Sequence, residues 1–540
     1  MKHSGSRGER KEPAEFQKFG PKKQKRLMIL LCLMLVAFCF LGFRLLIITG
    51  EDGDRYSMQI LSQQRYDSVT LPFRRGDIVD AKGTILATSE KVYNLIVDSR
   101  LILELEQRKE GALAQTLQAL HQCFGLDMET MRTYIREHPS SAYYVPLKQL
   151  RYDQTTEFLA LADEEDSLIG GIFFEEEYKR LYPNNTLACD VIGFMTGDNN
   201  GTYGLEEVYN NQLNGTTGRE FGYLNVDEDL ERTIKPAVDG YTIHTTLDVS
   251  IQRMVENAIA DFNTQYTDAY REGAGANNIG CVIQDIHNGN ILAMASAPTF
   301  DLNNPRDLTQ LYTLEEISLM EEAGTNYDAL NSLWQNFCIT GTYEPGSTAK
   351  PFTVAAALEC GAINGNEVFV CEGGLPFDGV EHPVACHNTS GDGNVTVKNA
   401  VAWSCNVALM KIAAKMGKDN FTTFQNNFNF GLKTNIDLTG EARTASLLYT
   451  KETMKPIDLA TNSFGQNFNV TMIQMISAFS SLINGGYYYE PHVVSRITNS
   501  QGQAVSRIEP RILKRTISAS TSQLIREYCY AVVMEDGGAG

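Results

Sequence analysis

A turn signal, Pro345-Gly346, runs directly into Ser347-Thr348-Ala349-Lys350 and an apolar, alanine-rich run from Phe352 to Leu358 that stops at Gly361. Such a run reads as a helix with Gly361 as its C-terminal cap. Ser347 then stands at the helix start, with Lys350 one turn on and on the same face. Free backbone N–H groups at a helix N-terminus stabilise charge developing on a bound oxyanion. An amine three residues from a hydroxyl can take its proton, provided burial or a neighbouring cation lowers the amine's pKa. Ser-x-x-Lys at a helix start is more often a cap beside a solvated lysine. Pro351 weighs against that reading: it removes a backbone donor in the first turns, and local rules are often broken at functional sites.

At 540 residues the chain exceeds one ordinary domain. Its net charge of -20 argues against nucleic acid as a partner. The charge is uneven: residues 1–26 carry nine Lys/Arg against three glutamates. This basic arm abuts an apolar run from Leu27 to Phe43, which resumes after Arg44 as Leu45-Leu46-Ile47-Ile48. Together these suffice to span a bilayer. A signal peptide also has a basic start and an apolar middle, but it ends in a small-x-small cleavage site, and this run ends in Phe-Leu-Gly-Phe-Arg. The reading is an uncleaved single-pass anchor at 27–48 in the cytoplasmic membrane, in contact with lipid. Its basic flank places residues 1–26 in the cytoplasm and everything after the anchor outside it.

Eleven cysteines do not make a dense disulfide framework at this length. Cys371 and Cys386 flank a loop rich in Gly and Pro, in a compartment where disulfides persist. A disulfide or redox pair, free thiols, or zinc with His382 and His387 all remain open. The spacing matches none of the common Cys-x-x-Cys patterns, and no metal or cofactor is expected.

Along the chain, Glu51 to Gln64 is polar and helical in tendency. Alternating apolar positions on both sides of Lys82-Gly83 predict a β-hairpin. Leu101 to Phe124 and Met128 to Glu137 read as amphipathic helices. Short strands and turns follow from Phe173 to Gly218. A second texture begins near Asp239: a strand at 241–247, a helix from Val249 to Phe262, and a hairpin turning at Asn288-Gly289. Strands first, then a helix-rich middle from Leu314 to Gly417, predict an α+β domain with helices packed on an antiparallel sheet.

Val395 to Trp403 reads as a helix, Ser404-Cys405-Asn406 interrupts it, and Val407 to Met416 is helical again up to Gly417. Alone, Ser-x-Asn is a turn with a cap. Ser347-x-x-Lys350 followed by Ser404-x-Asn406 resembles the motif order and spacing of penicillin-binding proteins and serine β-lactamases. Further blocks narrow the resemblance to class B penicillin-binding proteins of the division, elongation and stage V sporulation protein D groups. They are Arg75-Gly76-Asp77-Ile78-Val79-Asp80, Arg180-Leu181-Tyr182-Pro183, Gly204-Leu205-Glu206, Gly289 to Ala295, and Ser463-Phe464-Gly465-Gln466.

The resemblance implies a cytoplasmic tail at 1–26, an anchor at 27–48, a β-rich pedestal or dimerisation domain at 49–238 and a serine β-lactamase-like transpeptidase domain at 239–540. It implies a peptidoglycan D,D-transpeptidase that cross-links stem peptides ending in D-Ala-D-Ala, releases D-Ala and is acylated by β-lactams. Ser347 would be the nucleophile, Lys350 its general base and Ser404 the proton relay to the leaving D-Ala; Asn406 would bind the substrate amide. A multi-pass membrane glycosyltransferase is the implied partner, and a homodimer is left open. The family's third motif, Lys-Thr/Ser-Gly, does not follow Asn406. The chain therefore reads as C-terminally truncated, and as written it is not expected to be a competent transpeptidase. The alternatives are a membrane-tethered penicillin-binding scaffold without turnover, a β-lactam sensor and an anchored β-lactamase.

Overall fold

The computed structural model describes residues 21–51, 68–197, 199–224, 230–270, 272–535 and 537–540. Most of the basic tail, and the polar stretch at 52–64, lie outside the described residues. The chain divides into two compact units: residues 1–70 with 219–236, and residues 71–218 with 237–540.

The first unit contains a helix of 31 residues, Pro21–Glu51. Its described apolar side chains, from Met28 to Leu41, are solvent-facing, with Leu30 at 64% and Phe40 at 70% exposure. Among the described residues no helix is long and apolar enough to cross a membrane. The side chains at 27, 32 and 43–48, within the expected anchor, lie outside that description. A hairpin pairs Gly218–Leu224 with Leu230–Lys235, placing Arg219 opposite Lys235, and Ser68–Leu71 joins its first strand.

The second unit holds residues from both sides of the boundary expected at 238/239, because one sheet runs through them. Its strands follow the order Ala504–Arg507, Val494–Thr498, Thr242–Thr245, Ile78–Val79, Ile85–Val97 and Tyr144–Leu150, and Ile172–Leu181 also pairs with Ile85–Val97. Ile243 lies beside Ile78 in a parallel pair and opposite Ile497 in an antiparallel one. The hairpin expected at Lys82-Gly83 is present. Asp80 Oδ1 accepts the Lys82 and Thr84 N–H groups at 2.9 and 2.7 Å, and Gly83 takes φ +90°.

Three of the sequence blocks converge beside this hairpin. Arg75 Nη2 and Nε donate to Glu206 Oε2 at 2.6 and 2.8 Å. Arg180 Nε donates to Glu206 Oε1 at 2.7 Å. Glu206 is fully buried and both guanidinium groups nearly so. Arginine stays charged in a protein, so one carboxylate here carries two desolvated cations. Neutral oxygens take part of the load: Arg75 Nη1 donates to Asn210 Oδ1 at 2.9 Å, and Arg180 Nη1 to the Gly76 carbonyl at 2.7 Å.

The helix expected over Leu101–Phe124 is two helices, Ser99–Arg108 and Ala112–Phe124. The Glu106 carboxylate accepts the N–H groups of Gly111 and Leu113 at 3.3 and 2.7 Å. Gly111, at φ +98°, turns the chain out of the helix. Met128–Glu137 forms as expected, capped by Asp127.

In the C-terminal part, Ile279–Gln284 and Ile291–Ala297 form the expected hairpin, with Ile279 opposite Ala297. The helices Phe337–Thr340 and Met472–Ile483 pack on it. The helix Lys350–Glu359 packs among Asn406–Met416, Met472–Ile483 and Ala519–Met534. Every residue from Lys350 to Ala357 is buried. Ala355, Ala356 and Ala357 let the neighbouring helices approach closely. Phe352 is the large exception, set edge-on to Phe428, Phe430 and Phe479 at centroid separations of 5.0, 5.1 and 5.9 Å. Burying such a ring contributes about 1.5–3 kcal/mol, and it anchors the helix two residues beyond Lys350.

Candidate active site

Ser347 lies in a single 3-10 turn, Gly346–Ala349, and the α-helix proper begins at Lys350. Pro351 therefore falls in the first helical positions, where a missing N–H costs little, and it breaks no rule of helix formation. The turn is held from outside. Gly346 N–H donates to the Gly465 carbonyl at 2.8 Å, and Thr353 Oγ1 donates to the Ser463 carbonyl at 2.8 Å. Gly465 sits at φ +87°, and a Cβ there would lie 1.9 Å from Gly346 O. Only glycine permits this approach.

Ser404 closes the helix Val397–Ala402. Its N–H donates to Val401 O at 3.1 Å and the Cys405 N–H to Ala400 O at 3.0 Å. This is the paired bonding of a Schellman cap, which places one residue in the left-handed region, usually glycine. Here that residue is Ser404, at φ +56°. The conformation costs about 1–2 kcal/mol for a residue with a Cβ, and such strain gathers at functional sites.

The cap brings Ser404 to the other two residues. Lys350 Nζ donates to Ser404 Oγ at 2.7 Å and to Ser404 O at 2.6 Å. Ser404 Oγ donates to Ser347 Oγ at 2.9 Å. Lys350 is 2% exposed, whereas Ser347 is open to solvent. Burial lowers the Lys350 pKa to about 8, against an opposing pull from Cys386, Cys405 and Asp392. The amine is therefore poised near neutrality, at the buried end of a hydrogen-bond chain whose outer end is exposed. Asn406 opens the helix Asn406–Met416, and its Nδ2 donates to the Ala385 carbonyl at 3.2 Å. The structure thus brings Ser347, Lys350 and Ser404 into one chain, with Asn406 two residues from Ser404.

Cys371 and Cys386 are free thiols. They share their surroundings with Cys405 and Asp392, the four ligand atoms all lying within 4.8 Å of one another. Sequence reading passed over this grouping. Its one signal was a third cysteine between Ser404 and Asn406. A roomy cleft lies elsewhere, lined by His287, Lys398, Asn484 and Arg526 among others. Convergent chemistry, rather than volume, marks the Ser347 site.

Residues 279–540 match the family model of the penicillin binding protein transpeptidase domain, and residues 70–245 that of the penicillin-binding protein dimerisation domain. The chain belongs to the class B penicillin-binding proteins. Stage V sporulation protein D of Bacillus subtilis is 29% identical over 526 residues, covering 95% of this chain and 74% of the relative. A probable peptidoglycan D,D-transpeptidase, PenA, of Neisseria meningitidis is 27% identical over 518 residues, covering 94% and 78%. Among solved structures, penicillin binding protein 2X from Streptococcus thermophilus superposes with a TM-score of 0.68 at 23% identity, covering 86% of this chain and 66% of that one. The two-domain α+β fold expected from the sequence is the fold of these proteins.

Proposed function

We propose that this class B penicillin-binding protein is a serine D,D-transpeptidase that cross-links peptidoglycan stem peptides ending in D-Ala-D-Ala. The observation that carries the reading is the hydrogen-bond chain from Lys350 through Ser404 to Ser347. Hydroxyl groups both donate and accept, so the chain can run in either sense. With Lys350 neutral, Ser347 gives its proton to Ser404, and Ser404 passes one to Lys350. Ser347 Oγ attacks the penultimate D-Ala carbonyl, and the developing oxyanion is met by the Ser347 backbone N–H. The C–N bond to the terminal D-Ala breaks, and that amine takes the proton back through Ser404. An amine of a second stem peptide then attacks the ester, forming the cross-link and freeing Ser347. Asn406 holds the substrate amide beside the Ser404 cap. A β-lactam enters by the same first step, its ring amide replacing the D-Ala-D-Ala bond.

Only neutral Lys350 accepts a proton, and its pKa is lowered to about 8. Below that value the neutral fraction falls about tenfold per pH unit. The penicillin acylation rate is therefore expected to rise with pH and level off above about 8. Stopped-flow measurement checks this, and a profile flat from about pH 6 to about pH 9 would remove Lys350 as the base.

Turnover is tested with protein produced from its full reading frame, a D-Ala-D-Ala stem peptide and an amine acceptor. Release of D-Ala matched by cross-linked product is the expected outcome. Neither product, together with no penicillin adduct, would favour the scaffold reading. The exposed apolar face of Pro21–Glu51 and the basic residues around its start support a single-pass anchor, with the catalytic domain outside the cytoplasmic membrane. By family likeness, glycan polymerisation falls to a multi-pass glycosyltransferase partner.

A further inference from the structure

We propose that Cys371, Cys386, Asp392 and Cys405 form a tetrahedral site for a thiophilic divalent cation of the zinc type.

The four residues come from separate segments, and backbone pairing sets their approach. Val368–Cys371 pairs with Gly393–Thr396 so that Cys371 lies opposite Gly393, next to Asp392. Gly374 lies opposite Ala385, and the Cys386 N–H donates to the Gly373 carbonyl at 2.9 Å. Two glycines let these segments close. A Cβ on Gly373 would lie 2.0 Å from Thr389 O, and one on Gly391 would lie 2.5 Å from Cys371 O. The fourth residue, Cys405, is delivered by the cap at Ser404.

The distances suit a metal. Cys386 Sγ lies 3.8 Å from Cys405 Sγ and 3.7 Å from Asp392 Oδ2. A tetrahedron with metal–sulfur bonds of about 2.3 Å has edges of about 3.8 Å. Asp392 is also oriented for the task. Its Oδ1 accepts from Asn388 Nδ2 at 2.8 Å, while Oδ2 faces the thiols, as outer-shell partners orient ligands elsewhere. His387 Nδ1, 3.7 Å from Cys386 Sγ, belongs to the immediate surroundings. Three soft thiolates with one carboxylate favour zinc over magnesium or calcium.

Binding breaks three S–H bonds, releases three protons to solvent, and forms three metal–sulfur bonds and one metal–oxygen bond. No oxidation state changes. The metal would tie Cys405, and with it the flanking Ser404 and Asn406, to the 371–392 loop, making these four positioning residues for the site.

The test does not depend on turnover. Protein from the full reading frame is purified under reducing conditions, loaded with zinc and freed of excess, and its metal content is measured. One zinc per chain at this site is expected. Cobalt(II) in its place should give a thiolate-to-metal charge-transfer band. Cys371→Ala and Asp392→Asn should each weaken zinc binding by about 100-fold or more, and Asn388→Ala by about 10- to 100-fold. Circular dichroism establishes that each variant is folded, and Asp392→Asn preserves shape where a cysteine variant fails to fold. Absence of stoichiometric zinc in folded wild-type protein overturns the proposal. So does equal retention of zinc by the folded variants, or peptide mapping that finds two of the three cysteines joined in a disulfide in freshly isolated protein.

Discussion

Replacing Ser347 by alanine is expected to remove every covalent penicillin adduct, and replacing Lys350 by alanine to slow acylation by about 100- to 10,000-fold. Two serines stand in the chain that ends at Lys350, and their surroundings separate their roles. Ser404 is half-buried and bonded at both ends, to Lys350 and to Ser347. Ser347 is exposed, at the outer end, on a turn pinned by Gly465. An incoming carbonyl therefore meets Ser347 first. Alanine at 347 gives up a single side-chain hydrogen bond, so the fold should persist while the adduct vanishes. Alanine at 350 leaves two oxygens of Ser404 without their donor, a cost of about 1–3 kcal/mol each, alongside the lost base. Fluorescent-penicillin labelling over time, with intact-mass and peptide mapping, reads both effects. An adduct that survives Ser347→Ala would move the nucleophile elsewhere. A Lys350→Ala protein that labels at the wild-type rate would leave the hydrogen-bond chain without a catalytic role.

Glu206→Gln should destabilise the second unit by about 3–5 kcal/mol, the usual penalty for stranding buried charge. The substitution preserves shape and removes only the anion between Arg75 and Arg180. Both guanidinium groups lie at 3% side-chain exposure against a carboxylate at 0%, so solvent cannot take its place. Asn210, Asn214 and the Gly76 carbonyl still accept hydrogen bonds, but none of them carries charge. Because the network sits beside the strand Ile78–Val79, the loss should loosen the sheet shared with Thr242–Thr245. Denaturant unfolding measures the change, and hydrogen exchange locates it. A loss below about 1 kcal/mol would place the triad with exposed pairs, whose contributions are that small.

Local chemistry was legible in the chain wherever it depends on neighbours in sequence. The Lys82-Gly83 and Asn288-Gly289 hairpins, the helix stopping near Gly361 and the interruption at Ser404-Cys405-Asn406 all follow from turn residues and apolar spacing. The same reading ran Leu101–Phe124 as one helix, because periodicity cannot register a Glu106 side chain bonding the Gly111 and Leu113 N–H groups. It also placed Ser347 on the helix itself, where a 3-10 turn intervenes.

What only the tertiary structure decided is distance and burial between parts remote in sequence. Lys350 and Ser404, separated by 54 residues, meet because a Schellman cap holds a serine in a conformation normally left to glycine. Burial then lowers the lysine's pKa to about 8, a value that no motif encodes. Arg75, Arg180 and Glu206 stand in three separate sequence blocks and share one buried carboxylate. Cys371 and Cys386 were visible as a pair, but their company with Asp392 and Cys405 follows from strand register and two close glycine contacts. Residue type and short-range spacing thus established which groups are available and which turns present them. Desolvation and long-range approach, which require the packed chain, established what those groups can do.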